Sequence, residues 1–160
     1  MIAILDNIRS VHNIGSIFRT SDGAGIEKLY LCGFTPTPLN KIGDPRKKMK
    51  KVSLGAEESI PWEKIKSTEE CIKNLKKEGY LIYAIEEGPQ SAISYYKLEV
   101  SNEDLQKTAF VFGHEVNGLS DEIIKLADQV LEIPMHGIKE SLNISIAFGI
   151  IVYHFTHYNF

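Results

Sequence analysis

Short apolar runs alternate along this chain with amphipathic stretches of helical period. Five runs read as strands: Ile2–Leu5, Leu29–Cys32, Leu81–Ile85, Ala109–Phe112 and Val130–Ile133. Their β-branched and aromatic content, with Gly, Asp or Pro at their ends, supports that reading. The spacing between and after them predicts four helices. The first runs from about Asn13 or Ile14 to Gly23, with Ile14, Ile17 and Phe18 on one stripe and Arg19 and Asp22 off it. The second covers roughly Thr68–Glu78, where Ser67 and Glu70 make a capping box and Gly79 ends the helix. A third follows Ser120 as N-cap and ends near Asp128, and the last spans about Leu142–His157. Residues 34–61, with Pro36, Pro38, Pro45 and Pro61, read as the longest irregular stretch. Strands alternating with helices imply an α/β fold, a mostly parallel sheet flanked by helices.

The last predicted helix is apolar on two sides. Ile144, Phe148, Ile151 and Phe155 line one face, and Ile146, Ile150 and Tyr153 line another. Such a helix needs two covers, for which the sheet and a second copy of the chain are the expected candidates. On that reading a charge placed at Ile151 breaks the pairing.

Composition narrows the class. At 160 residues the chain is expected to form a single domain, 1–160. Charged residues make up 24%, as in ordinary globular proteins. The longest apolar run, Ile144 to Phe155, is too short to cross a membrane, and Met1–Leu5 followed by Asp6 reads as a strand rather than a secretion signal. Cys32 and Cys71 belong to no C-x-x-C pair, so buried thiols in a reducing cytoplasm are expected. Net charge is −3, but unevenly spread: residues 1–51 carry +5 and residues 52–160 carry −8. Arg46, Lys47, Lys48, Lys50 and Lys51 crowd into six positions, readable as a solvated loop or as a phosphate-contacting patch.

No P-loop, Rossmann glycine fingerprint or nucleophile elbow is present. His154 and His157 have no acidic or cysteine neighbour that would make them metal ligands, and no metal is expected. Three polar segments remain. Asn13-Ile-Gly-Ser-Ile-Phe-Arg19 follows the opening strand; Gly15 allows close backbone approach, and Asn13 reads as a helix cap or a functional amide. Gly113-His-Glu115-Val-Asn-Gly118-Leu119 leaves an apolar strand at its carboxyl end, where parallel sheets bind ligands. Ile133-Pro-Met135-His-Gly137 and Glu140-Ser141-Leu142-Asn143-Ile-Ser145 lead into the last helix, where Ser141 reads as the cap and Asn143 as a polar group in search of partners.

Together these segments resemble the SpoU/TrmH group of SPOUT-class RNA 2′-O-ribose methyltransferases, through its N-x-G-x-x-x-R, G-x-E-x-x-G-L and I-P-M-x-G-x-x-x-S-L-N-x-S motifs, in order from about Leu5 to Tyr153. The resemblance implies a SPOUT-like fold with a C-terminal trefoil knot, a homodimer, and S-adenosylmethionine as methyl donor. It implies a donor pocket of Gly113, Glu115, Ile133, Met135 and Leu142, and catalytic positions at Arg19, Asn13, Glu115, Ser141 and Asn143. Guanidinium stays protonated, so Arg19 is expected to clamp RNA phosphate and ribose rather than to act as base. RNA contacts are expected from Arg19, Arg46, Lys47, Lys48, Lys50 and Lys51. The chain is expected to be a minimal catalytic core without an added RNA-binding domain, acting on tRNA or rRNA in the cytoplasm. His114 stands where the group often has asparagine or another small polar residue. The alternatives are a silent SPOUT-fold module that holds RNA or assists assembly, and a flavodoxin-like nucleotide-binding protein.

Overall fold

The computed structural model describes residues 1–89 and 91–156. Among them one sheet forms from β1 (Ile2–Asp6), β2 (Lys28–Cys32), β3 (Trp62–Ile65), β4 (Leu81–Ile85), β5 (Ala92–Ser94), β6 (Thr108–Phe112) and β7 (Gln129–Glu132). The spatial order is β3-β2-β1-β6-β4-β7-β5, and every neighbouring pair is parallel. The helices are α1 (Val11–Ala24), α2 (Lys47–Ser53), α3 (Ala56–Ser59), α4 (Thr68–Lys77), α5 (Asn102–Gln106), α6 (Asp121–Leu126) and α7 (Ile144–Thr156). The α/β class and the parallel sheet are as the pattern predicts, and no strand end that it places is off by more than one residue.

Period-two alternation divides the central strands between two cores. Ala3, Leu5, Leu29, Leu31, Phe110 and Phe112 face one side, where α1 and α7 bring Ile14, Ile17, Phe18, Phe148, Ile151, Val152 and Phe155. Ile2, Ile4, Ile82, Ala84, Ala109 and Val111 face the other, against Cys71, Ile72 and Leu75 of α4 and Ile123 of α6. A strand covered on both faces reads as an unbroken apolar run, which is why the central strands were legible. Both cysteines are free and buried in the second core.

Several expectations need correction. β3 and β5 went unread because they are the short strands at the two sheet edges, where β3 leaves Glu63 and Lys64 exposed. Residues 34–61 are not irregular throughout, since α2 and α3 lie within them. The basic run is therefore a short helix, with Arg46 at its N-cap and Met49 as its buried anchor. Ser10, not Asn13, caps α1: its hydroxyl accepts from the Asn13 N–H at 3.2 Å. α6 ends at Leu126, two residues before the expected Asp128. α7 begins at Ile144 rather than Leu142 because Asn143, not Ser141, caps it; the Asn143 Oδ1 accepts from the Ser145 N–H at 2.9 Å. His157, at the expected end of α7, lies outside the described residues.

α7 packs Phe148 on Phe112 and Phe155 on Phe110, with ring centres 5.0 and 5.1 Å apart. Its His154 ring meets Tyr95, from the segment between β5 and β6, at 4.8 Å. Ile146 and Tyr153 are left 55% and 44% exposed. Ile151 is fully buried within the chain's own core, so a charge there disrupts packing and does not probe pairing. Among the described residues no helix is long and apolar enough to cross a membrane.

Gly15 owes its place to the contact between α1 and α2. A Cβ built there stands 2.9 Å from the Met49 carbonyl oxygen and 3.1 Å from the Val52 Cβ. The close approach foreseen at Gly15 is thus one of helix on helix. Gly15→Ala is expected to push α2 away and cost about 1–3 kcal/mol, read as a lowered Tm in thermal denaturation.

Candidate active site

Parallel strands leave a crevice above their carboxyl ends, and β6, β4 and β7 stand side by side there. The segments that leave them, residues 113–118, 86–87 and 133–142, line a cleft of about 720 Å³ counted to its open mouth. Gly113, Glu115, Ile133, Met135, Ser141 and Leu142, all expected from sequence, are on its walls. So are Ile85, Glu86, Glu87, His114, Val116, Gly118, Ile144 and Ala147, which sequence reading did not assign. Glu86 and Glu87 carried a usable signal, since they follow directly on a strand end in the same way as Gly113.

The loop after β6 is tightly wound. Backbone bonds join His114 and Gly118 in both directions, at 3.2 and 2.9 Å. A Cβ on Gly113 would stand 2.5 Å from the Gly118 carbonyl carbon, so only glycine fits. The Glu86 carboxylate accepts from the Leu119 N–H at 2.6 Å and thereby ties the β4 segment to this loop. His114 Nδ1 accepts from the N–H groups of Val116 and Asn117, at 3.0 and 3.2 Å.

Two of the motifs meet at one carboxylate, and the third reaches it through Asn13. Glu115 Oε2 accepts from the Arg9 N–H at 2.9 Å, and Oε1 accepts from the Ser10 N–H at 3.0 Å and from Asn13 Nδ2 at 3.1 Å. Arg9 and Ser10 open α1, so a negative group sits at its N-terminus, where unpaired N–H donors point. Burial pushes the Glu115 carboxyl upward, but the donors from Arg9, Ser10 and Asn13 outweigh it and hold the group below its ordinary value. Asn13 in turn accepts from Asn143 Nδ2 through Oδ1 at 3.4 Å. Asn143 thus finds the partners its position demanded, one of them the helix it caps. Asn13 and Asn143 form this link behind the cleft and do not line it.

Glu87 has the opposite environment. Burial, together with the nearby carboxylates of Glu132, Glu140 and Glu86, raises its carboxyl above the usual range. The cleft wall on this side is therefore electronegative.

The expected cationic residues lie elsewhere. Arg19 is exposed on α1, outside the cleft, and makes no hydrogen bond or ion pair among the described residues. It lies one turn before Gly23, whose helix side meets α7: a Cβ there would stand 2.6 Å from the Tyr153 hydroxyl. Arg46, Lys47 and Lys48 line a separate groove with Val11, Asn40, Asp44 and Pro45. Arg46 Nε donates to the Thr37 carbonyl at 2.9 Å, and Lys50 is paired with Glu58 at 2.9 Å, so these two also serve the local fold. Lys51 is exposed. Among the described residues no three His, Cys, Asp or Glu side chains gather as metal ligands would.

Comparison with known proteins agrees with this geometry. The model of the SpoU rRNA Methylase family matches residues 1–153. A tRNA (guanosine(18)-2'-O)-methyltransferase of Aquifex aeolicus is 29% identical over 96% of this chain and 67% of its own. A 23S rRNA (guanosine-2'-O-)-methyltransferase of Xanthomonas axonopodis is 27% identical over 96% of this chain and 57% of its own. Among solved structures, the A. aeolicus TrmH/SpoU tRNA modifying enzyme superposes with a TM-score of 0.80 at 29% identity, over 97% of this chain and 73% of that one. An AdoMet-bound rRNA methyltransferase of Sinorhizobium meliloti gives 0.85 at 26%, over 99% and 56%. The chain thus spans little more than half the length of several relatives. With the family's model matched from residue 1 to 153, this chain belongs to the SpoU rRNA methylase family.

Proposed function

We propose that the chain transfers a methyl group from S-adenosylmethionine to a ribose 2′-hydroxyl of tRNA or rRNA. The observation that carries this reading is the convergence of Gly113, Glu115, Ile133, Met135, Ser141 and Leu142 on one cleft. The donor fits the lining. Apolar Ile133, Met135, Leu142 and Ile144 suit its adenine and thioether chain, the tight turn at Gly113 brings backbone groups within reach, and Glu86 and Glu87 favour a cation. Bound there, S-adenosylmethionine supplies an electrophilic methyl on a sulfonium.

The protein's part is to bind and orient. Glu115, with both oxygens engaged by donors, is a poor base; its role is to fix the β6 loop to α1. Ser141 is exposed on the cleft wall, and its role in this reading is to hydrogen-bond the ribose hydroxyl. Arg19 clamps RNA as a permanent cation, and the α2 cations Arg46, Lys47, Lys48, Lys50 and Lys51 hold phosphates further out. A second copy seated on Ile146 and Tyr153 covers the α1 side that carries Arg19, which brings this side chain to the dimer seam. The trefoil threading of the C-terminal segment belongs to the same proposal, supported by the seat of α7 between Phe110 and Tyr95. RNA as substrate and two free thiols favour a cytoplasmic location.

Calorimetry with S-adenosylmethionine is expected to show binding, and tritiated donor to label tRNA or rRNA from cells lacking the protein; absence of both removes the enzyme reading. Arg19→Ala is expected to cut methyl transfer by about a hundredfold or more while donor affinity holds. Unchanged turnover would show that Arg19 is misassigned.

Glu115→Gln tests the clamp. Because the folded-state carboxyl is held below its ordinary value of about 4.3, its contribution is complete above that pH and lost as pH falls through the lowered value. Thermal melts are expected to show the variant less stable at pH 7, by about 1 kcal/mol after solvent screening, with the gap closing below about pH 4. A gap independent of pH contradicts this role.

Ile146→Glu is expected to give folded monomers in sedimentation, with methyl transfer lost. A dimer that survives the change places the interface elsewhere.

A further inference from the structure

The segment after β2 exposes a large aromatic side chain on an unusually well-anchored backbone. Phe34 is 58% exposed. Its N–H donates to Asn7 Oδ1 at 3.1 Å. On either side of it, Lys64 Nζ donates to the carbonyls of Gly33 and Thr35, at 2.5 and 2.7 Å. The next residue, Thr35, is buried, its hydroxyl donating to the Leu5 carbonyl and accepting from the Ile8 N–H. The backbone at Phe34 is thus fixed while its ring is presented to solvent.

Phe34 also stands at the rim of the cleft. Its ring meets that of His114, a cleft residue, nearly at right angles with centres 5.9 Å apart. His114 is fixed by two backbone N–H groups on Nδ1, and among the described residues its Nε2 has no hydrogen-bond partner. Arg9 joins the same rim: its backbone bonds Glu115, its side chain is exposed, and it forms no ion pair among the described residues.

We propose that Phe34, buttressed by His114, is a stacking platform for the base of an unpaired nucleotide whose ribose enters the cleft, with Arg9 on that nucleotide's phosphate. The proposal rests on the methyltransferase reading and deepens it. An RNA base supplies the π-face that a rigid exposed ring accepts, and does so without regard to sequence. The cation beside it matches the adjoining phosphate.

The test measures methyl transfer from tritiated S-adenosylmethionine to RNA from cells lacking the protein, for wild type, Phe34→Ala, Phe34→Trp and Arg9→Ala. Phe34→Ala is expected to raise KM for RNA about tenfold or more, with kcat and calorimetric donor affinity unchanged. Phe34→Trp is expected to restore wild-type KM, and Arg9→Ala to flatten the salt dependence of RNA binding by about one unit of slope. A Phe34→Ala enzyme that methylates RNA with wild-type KM overturns the platform and leaves the methyltransferase standing. A wild-type protein that methylates no RNA overturns both.

Discussion

The site depends on a carboxylate placed at the start of a helix more than a hundred positions away in sequence. Glu115 neutralises the unpaired N–H groups at the N-terminus of α1 and takes the Asn13 amide as a third donor. Asn13 passes the connection to Asn143, which caps α7. Loops leaving β1, β6 and β7 are thereby locked into one body by four hydrogen bonds, two from backbone N–H groups at the start of α1 and two from side-chain amides. Asn13 and Asn143, both expected in the catalytic set, are partners in this link.

Much of this was legible in the sequence, and what was lost has physical causes. Central strands declare themselves because both faces are covered, whereas β3 and β5 show no comparable run because an edge needs less apolar surface. Caps were misread by two or three residues where Ser and Asn compete. Ser10 and Asn13, like Ser141 and Asn143, are both able to cap, and only tertiary contacts decide between them. The residues expected in the donor pocket all line the cleft, because motif and strand end fall close together in each segment. Glu86, Glu87 and the Phe34–His114 pair were not found. A carboxylate or an exposed ring acquires meaning only from the neighbours that folding brings to it.

The charge asymmetry along the chain also acquires a spatial meaning. The basic first third supplies Arg9, Arg19 and the α2 cations, all on the outer surface. The acidic remainder contributes Glu86, Glu87, Glu132 and Glu140 on or beside the cleft, where mutual repulsion raises Glu87. A small net charge therefore conceals two fields of opposite sign, one suited to a polyanion outside and one to a cationic small molecule inside.

The seat of α7 bears on how the molecule comes into being. One wall of the cleft is built from residues 133–147, and the link that steadies it ends at Asn143. During synthesis the earlier strands emerge first, but the pocket has no second wall until this stretch has left the ribosome and α7 has docked on Phe110 and Phe112. A nascent chain cannot capture the small molecule early and use it as a folding nucleus. Ligand affinity is thus a late event, and it stabilises only chains whose assembly is complete.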